Sequence, residues 1–193
     1  MFRKIAEILR LSEAGEIARR YFIINFFDGI LTALGVIIGI YAVGIHDIQI
    51  ITAAVIGAAI AMFVSGFSGA YISERAEKAE DLKRIERAML RKMGKTKIGE
   101  AARKVPFIVA FVNGLSPAIS SIVIIIPCFF ALAGLLQEAY VFPFVLTISF
   151  SLLFILGIFL GRIAKENTLF FGLKTLIIGA VAAGLCMLVK FLF

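Results

Sequence analysis

The sequence has no tryptophan, one histidine, two cysteines and four prolines in 193 residues. With a single histidine, no Cys-x-x-Cys pair, no phosphate-binding loop and no Ser/His/Asp set, the chain offers no catalytic constellation. It is read as a non-enzyme needing no cofactor. Cys128 and Cys186 both fall inside apolar segments, where a thiol packs as a small hydrophobe and says nothing about redox compartment. A cleavable signal peptide is not expected, because the first stretch is charged and its apolar positions are interrupted.

Charge is scarce wherever the chain is most apolar. Hydrophobic residues make up 61% of the sequence, against roughly 45–50% in soluble domains. Five apolar segments can be drawn, at residues 21–43, 48–72, 105–136, 140–160 and 173–193. Each suits a helix crossing a hydrocarbon layer of ~30 Å, and each is too long for a barrel strand. The expected fold is an all-α integral membrane protein with five transmembrane helices, multi-pass, in the cell membrane if the source is prokaryotic.

The net charge of +7 follows from topology. In a five-span arrangement nineteen of the twenty basic residues lie on one side and only Lys190 lies on the other. The positive-inside rule then puts the N-terminus in the cytoplasm and the C-terminus outside. The partner implied by the basic excess is anionic lipid, not nucleic acid.

Three regions are drawn. Residues 1–20 form an amphipathic helix, with Ile5, Ile8, Leu9 and Ile17 near one face, lying on the membrane or packing on the cytoplasmic connection. Residues 21–193 form the membrane domain. Within it, residues 73–104 are a charged cytoplasmic helix and linker, the helix reaching about Lys92 before Gly94 breaks it.

Asp28 is the only charged residue of the first apolar segment. A carboxylate in a spanning helix costs about 2.5–3.5 kcal/mol on insertion scales, so it should face protein, water or a cation. It is either a structural carboxylate or a group that handles a cation or proton. Asn25, Asp28, Thr32, Gly35 and Gly39 fall on one helical face. The second segment has a matching stripe of Ala54, Ala58, Ala61, Ser65 and Ser68. Such stripes serve tight helix packing or a polar seam for a small ion, and they favour a homodimer. Met62, in the same segment, could offer a soft thioether or act as filler.

Residues 26–34 resemble residues 111–119, a parallel internal repeat that aligns Asp28 with Asn113 and Gly29 with Gly114. Pro117 predicts a kink whose freed carbonyls meet nearby groups, Ser116, Ser120 and Ser121 among them. In the charged segment, Glu74–Lys78 and Glu80–Arg84 are spaced as favourable pairs. Glu77 and Asp81 repel unless a cation lies between them, a spacing suited to divalent-metal capture. Glu74, Glu77, Glu80 and Asp81 are therefore candidate metal residues beside Asp28. His46 and Asp47, in a short loop, are read as solvated.

The run Asp28-Gly29-Ile30-Leu31-Thr32-Ala33-Leu34-Gly35 resembles the first-span motif of the vacuolar iron transporter family. Ser65-Gly66-Phe67-Ser68-Gly69-Ala70-Tyr71-Ile72-Ser73 resembles that family's second-span exit, and residues 173–184 resemble its last span. The resemblance implies a dimer that moves Fe²⁺ or Mn²⁺ out of the cytoplasm in exchange for protons. Asp28 would then be a membrane-embedded metal ligand and proton carrier. Two departures stand out. Aligned through Tyr71, Ala58 and Gly66 replace the family's second-span glutamate and methionine, with Met62 one turn away. The glutamate-rich cytoplasmic domain is shortened to a basic helix and linker. The first functional reading is a divalent-metal transporter with a path along Asn25, Asp28, Thr32, Met62 and Ser65. The second is a non-transporting membrane scaffold that kept the helices.

Overall fold

The computed structural model describes residues 14–191. Its regular structure is all helical: α1 Ala14–Ala42, α2 Ile48–Met89, α3 Lys97–Ile124, α4 Ile126–Leu132, α5 Glu138–Ala164 and α6 Thr168–Met187, then a 3₁₀ turn Leu188–Phe191. Among the described residues, five helices are long and apolar enough to cross a membrane: α1, α2, α3, α5 and α6.

The segment boundaries moved in instructive ways. Residues 105–136 do not form one span. α3 stops at Ile124, and Ile125, at φ −87° and ψ 6°, joins it to the short α4. Pro127 lies in the first turn of α4, where its missing N–H costs no helical hydrogen bond. Of the amphipathic stretch at residues 1–20, residues 1–13 lie outside the described residues. From Ala14 the chain is already part of α1, and Ile17 packs with Tyr21 against Val105 and Val109. α2 has 42 residues, about 63 Å at the helical rise, so it runs well beyond a hydrocarbon layer of ~30 Å.

Four helices end in the same way. After α1, α2, α4 and α5 the closing residues Gly44, Leu90, Gly134 and Lys165 adopt positive φ, from 50° to 83°. At each, one N–H reaches back to a carbonyl three residues earlier, and the next N–H reaches one five residues earlier. Examples are Gly134 to Ala131 with Leu135 to Phe130, and Leu90 to Arg87 with Arg91 to Glu86. This is the Schellman arrangement, which satisfies carbonyls that the helix end would orphan. Starts are capped too. Asp47 Oδ1 accepts from Gln49 and Ile50 at the head of α2, and Asn167 Oδ1 accepts from Leu169 and Phe170 at the head of α6.

The chain divides into two compact units. One comprises the described residues up to Asn25 with Met62–Ser116, and the other Phe26–Ala61 with Pro117 onward. The first unit has a small core of Val105 and Val109, flanked by Ile17, Ala18, Tyr21 and Ala101. The second holds the larger core, where Ile30, Ile37, Ile51, Val55, Ile124, Cys128, Val145 and Leu153 are buried together.

Close helix approaches depend on glycine. A Cβ on Gly29 would clash with Ser120 Oγ and lie 2.6 Å from the backbone of Pro117. In the first unit a Cβ on Gly114 would meet the Phe63 carbonyl at 2.6 Å. The two glycines matched by the internal repeat thus both sit where another helix backbone leaves no room. In the α5–α6 pair, Gly157 faces Gly172 and Phe171 in the same way, and Thr175 Oγ1 donates to the Leu153 carbonyl at 2.8 Å.

Two measurements check these readings. Gly29→Ala and Gly157→Ala are each expected to lower the thermal midpoint in detergent, since overpacking costs typically about 1–3 kcal/mol. Leu90, 94% exposed, buries nothing that its removal would forfeit. Leu90→Gly is expected to raise the midpoint by relieving a left-handed strain of roughly 1 kcal/mol.

Candidate metal path

Asp28 lies on the outside of the single chain, two turns past Tyr21 in α1, and forms no hydrogen bond or ion pair among the described residues. Thr32, one turn on, is half-buried. Farther along this face Gly35 is approached only by Cys186 Sγ at 3.3 Å, and nothing comes within 4 Å of a Cβ built on Gly39. Of the Gly35-x-x-x-Gly39 pair, Gly35 thus packs against α6, while Gly39 makes no close helix contact among the described residues.

The small-residue stripe of α2 is equally open. Ala61, Ser65 and Ser68 are exposed, Ala54 and Ala58 are half-buried, and Gly57 and Gly69 have no neighbour within 4 Å. Only 22% of the apolar window of α2 is buried, against 50% for α3. Ile60, Val64 and Ile72 add large exposed side chains to the same helix. Met62 is half-buried.

Asn25 has a different role from the polar neighbour of Asp28 that its spacing suggests. Its amide nitrogen donates to the Tyr21 carbonyl at 2.8 Å and to Asn113 Oδ1. Asn113, 7% exposed, passes the connection on to the Gly66 carbonyl at 2.7 Å. Ser116 Oγ donates to the Phe22 carbonyl at 2.6 Å. These bonds tie α1, α2 and α3 together within the first unit, where buried polar groups need partners from protein. Pro117 behaves as its serines predict: its carbonyl accepts from Ser120 and Ser121, and Ser121 also reaches the Gly29 carbonyl.

The acidic candidates on α2 do not form one cluster. Glu74 is 4% exposed, and its Oε2 is buried without a hydrogen-bond partner among the described residues. Glu77, Glu80 and Asp81 lie on the exposed side of the helix. Asp81 pairs with Lys78 at 3.5 Å. The expected Glu74–Lys78 pair is thereby replaced, because Glu74 turns inward while Lys78 turns toward its other acidic neighbour. Among the described residues no three His, Cys, Asp or Glu side chains are grouped so as to hold a metal ion. Asp47 is a helix cap, and His46 stands against the Tyr41 ring at 5.0 Å between centroids. The Asn25–Asn113 contact was not legible from spacing, since it joins helices through residues 88 positions apart in sequence.

Five long apolar helices, with Asn25, Asn113, Ser116 and Thr175 meeting one another or neighbouring carbonyls between them, define a multi-pass helical membrane protein. The family profile described as the VIT family matches residues 77–190, more than half of the chain, and the protein belongs to that family of metal-ion-transporting membrane proteins. It is also 35% identical over 180 residues to an uncharacterized protein of Methanocaldococcus jannaschii, covering 91% of this chain and 90% of that relative.

Asn113→Ala is expected to strip partners from Asn25 and from the Gly66 carbonyl. A loss of about 1–2 kcal/mol should appear as a lower thermal midpoint, while Ser65→Ala, at an exposed position, leaves the midpoint unchanged.

Proposed function

We propose that the protein exports divalent metal ions, Fe²⁺ or Mn²⁺, from the cytoplasm in exchange for protons, as a homodimer with Asp28 as the membrane-embedded ligand. The observation that carries this reading is the setting of Asp28: exposed in mid-span, free of any partner among the described residues, on a helix face that is open again at Gly39. A carboxylate facing acyl chains is costly, whereas a second copy laid over this face supplies both cover and a second carboxylate. Two aspartates balance one divalent ion, and oxygen ligands suit such hard cations. The open stripe of α2 supports the same assembly, since small residues let helix backbones approach closely in lipid. Glu77 and Glu80, exposed and without an ion pair among the described residues, would gather cations at the cytoplasmic mouth.

Reconstituted into liposomes under an imposed pH gradient, the wild-type protein is expected to move Mn²⁺, with Asp28→Asn and Asp28→Ala inactive but folded. Absence of wild-type transport with either Fe²⁺ or Mn²⁺ would favour the scaffold reading. Gly39→Leu tests the assembly. A Cβ there meets nothing within 4 Å among the described residues, so the variant should convert dimer to monomer by native mass spectrometry while leaving helical content intact.

A further inference from the structure

A ladder of aromatic rings joins α2 to α3 and ends in charge. On α2, Phe63, Phe67 and Tyr71 follow one another a turn apart, with neighbouring centroids 6.2 Å apart and ring planes within 17° of parallel. On α3, Phe107 and Phe111 stand edge-on to Phe67 and Phe63, at 5.7 and 6.5 Å. Edge-to-face contacts of this kind are favoured by the ring quadrupole. Phe107 and Phe111 are nonetheless 54% and 45% exposed. Arg75, exposed one turn beyond Tyr71, lies 5.7 Å over that ring and donates to its hydroxyl at 2.7 Å. The pairings Phe63–Phe111 and Phe67–Phe107 run the two helices antiparallel. Arg103, exposed one turn before Phe107, therefore falls near the level of Tyr71.

Both apolar segments end at this level, at residues 72 and 105. The two guanidiniums thus stand where hydrocarbon gives way to headgroups, with the rings reaching into hydrocarbon beneath them. Stacking and the tyrosine hydroxyl fix the plane of Arg75, whose fork of N–H donors matches the oxygens of a phosphate. Charge points the same way. By sequence, residues 1–25 and 62–116 of this unit hold sixteen of the twenty basic residues and only nine of the thirteen acids. Even with residues 1–13 counted, the unit has too few acids to pair its bases, so it attracts anions. A soluble anion would meet the guanidiniums and leave the rings bare. A second copy would bring its own positive excess, and the ladder lies roughly 120° around α2 from Ala61, Ser65 and Ser68 at the helical repeat. A lipid with an anionic headgroup matches both the rings and the charge. We infer that Arg75, Arg103 and the aromatic ladder form a binding site for an anionic phospholipid, its phosphate at Arg75 and an acyl chain along Phe67, Phe107 and Phe111. The site does not depend on Asp28 or on metal export.

The test uses the full-length protein in detergent, with lipid retention by native mass spectrometry and the thermal midpoint as readouts. Phosphatidylglycerol and phosphatidylcholine with the same acyl chains differ in headgroup charge alone. Phosphatidylglycerol should be retained about fivefold more strongly, the factor one basic side chain contributes near an anionic lipid surface. It should also raise the midpoint, by linkage. Arg75→Gln should bring the two lipids toward parity while its midpoint without lipid stays near that of the wild type, and Arg75→Lys should restore part of the preference. The double variant Phe107→Ala, Phe111→Ala should weaken retention of both lipids and keep their ratio. Asp28→Asn should retain lipid as the wild type does, which separates this result from any failure of export. The inference is overturned if the wild type does not distinguish the lipids, if Arg75→Gln still prefers phosphatidylglycerol, or if the ring variant retains both lipids undiminished. Inorganic phosphate that reproduces the full midpoint rise would assign the site to a soluble anion. A ring variant that falls from oligomer to monomer would assign it to a second copy, and either outcome overturns the lipid. Should Arg75→Gln fail to fold, Arg103→Gln replaces it, and an unchanged headgroup preference there is equally decisive against the site.

Discussion

Hydrocarbon gives a polar atom no water to turn to, so each polar group in a spanning helix must be met by another part of the protein. Asn25, Asn113, Ser116 and the carbonyls of Tyr21, Phe22 and Gly66 satisfy this within one unit of the chain. Thr175 and Leu153 do so in the other. Those bonds require helix backbones in near contact, which explains why glycine stands at the crossings, at Gly29, Gly114 and Gly157. Packing and polar satisfaction are thus one requirement seen twice: small residues bring the helices close, and closeness lets short side chains reach a neighbouring carbonyl.

Against that background Asp28 and Glu74 are the two acids, among the described residues of α1 and α2, that stand out, and they differ in kind. Asp28 is uncovered, on a face where a Cβ built on Gly39 would meet nothing within 4 Å. Glu74 is already covered, with its Oε2 left without a hydrogen-bond partner among the described residues. Asn113 sharpens the contrast. It occupies the position that the internal repeat matches to Asp28, yet its amide is fully employed in holding three helices together. Only one of the two repeat copies keeps a charge.

The number of spans and the continuity of α2 beyond the membrane could be read from sequence, because both rest on runs of apolar or charged residues longer than any local ambiguity. The serines around Pro117 were legible for a similar reason: a missing N–H and nearby hydroxyls are local chemistry. Helix ends were less so. The end of α2 was expected at a glycine, but Leu90 takes the left-handed position and Gly94 does not. Nothing in a leucine advertises that conformation. The acidic residues of α2 looked like one group by spacing, yet Glu74 points inward and its neighbours outward. That division depends on where α1 lies against α2, information that periodicity along a single helix does not contain.

The length of α2 has a mechanical consequence. From Ile72 to Met89 the helix continues without a break, an arm of about 25 Å at the helical rise. Pivoting such a rod by ten degrees within the bilayer would sweep its far end through roughly 4 Å by the same geometry. Whatever grips the tip therefore has leverage over the buried end, and a slight rocking among the spanning segments is amplified where the rod meets the aqueous phase.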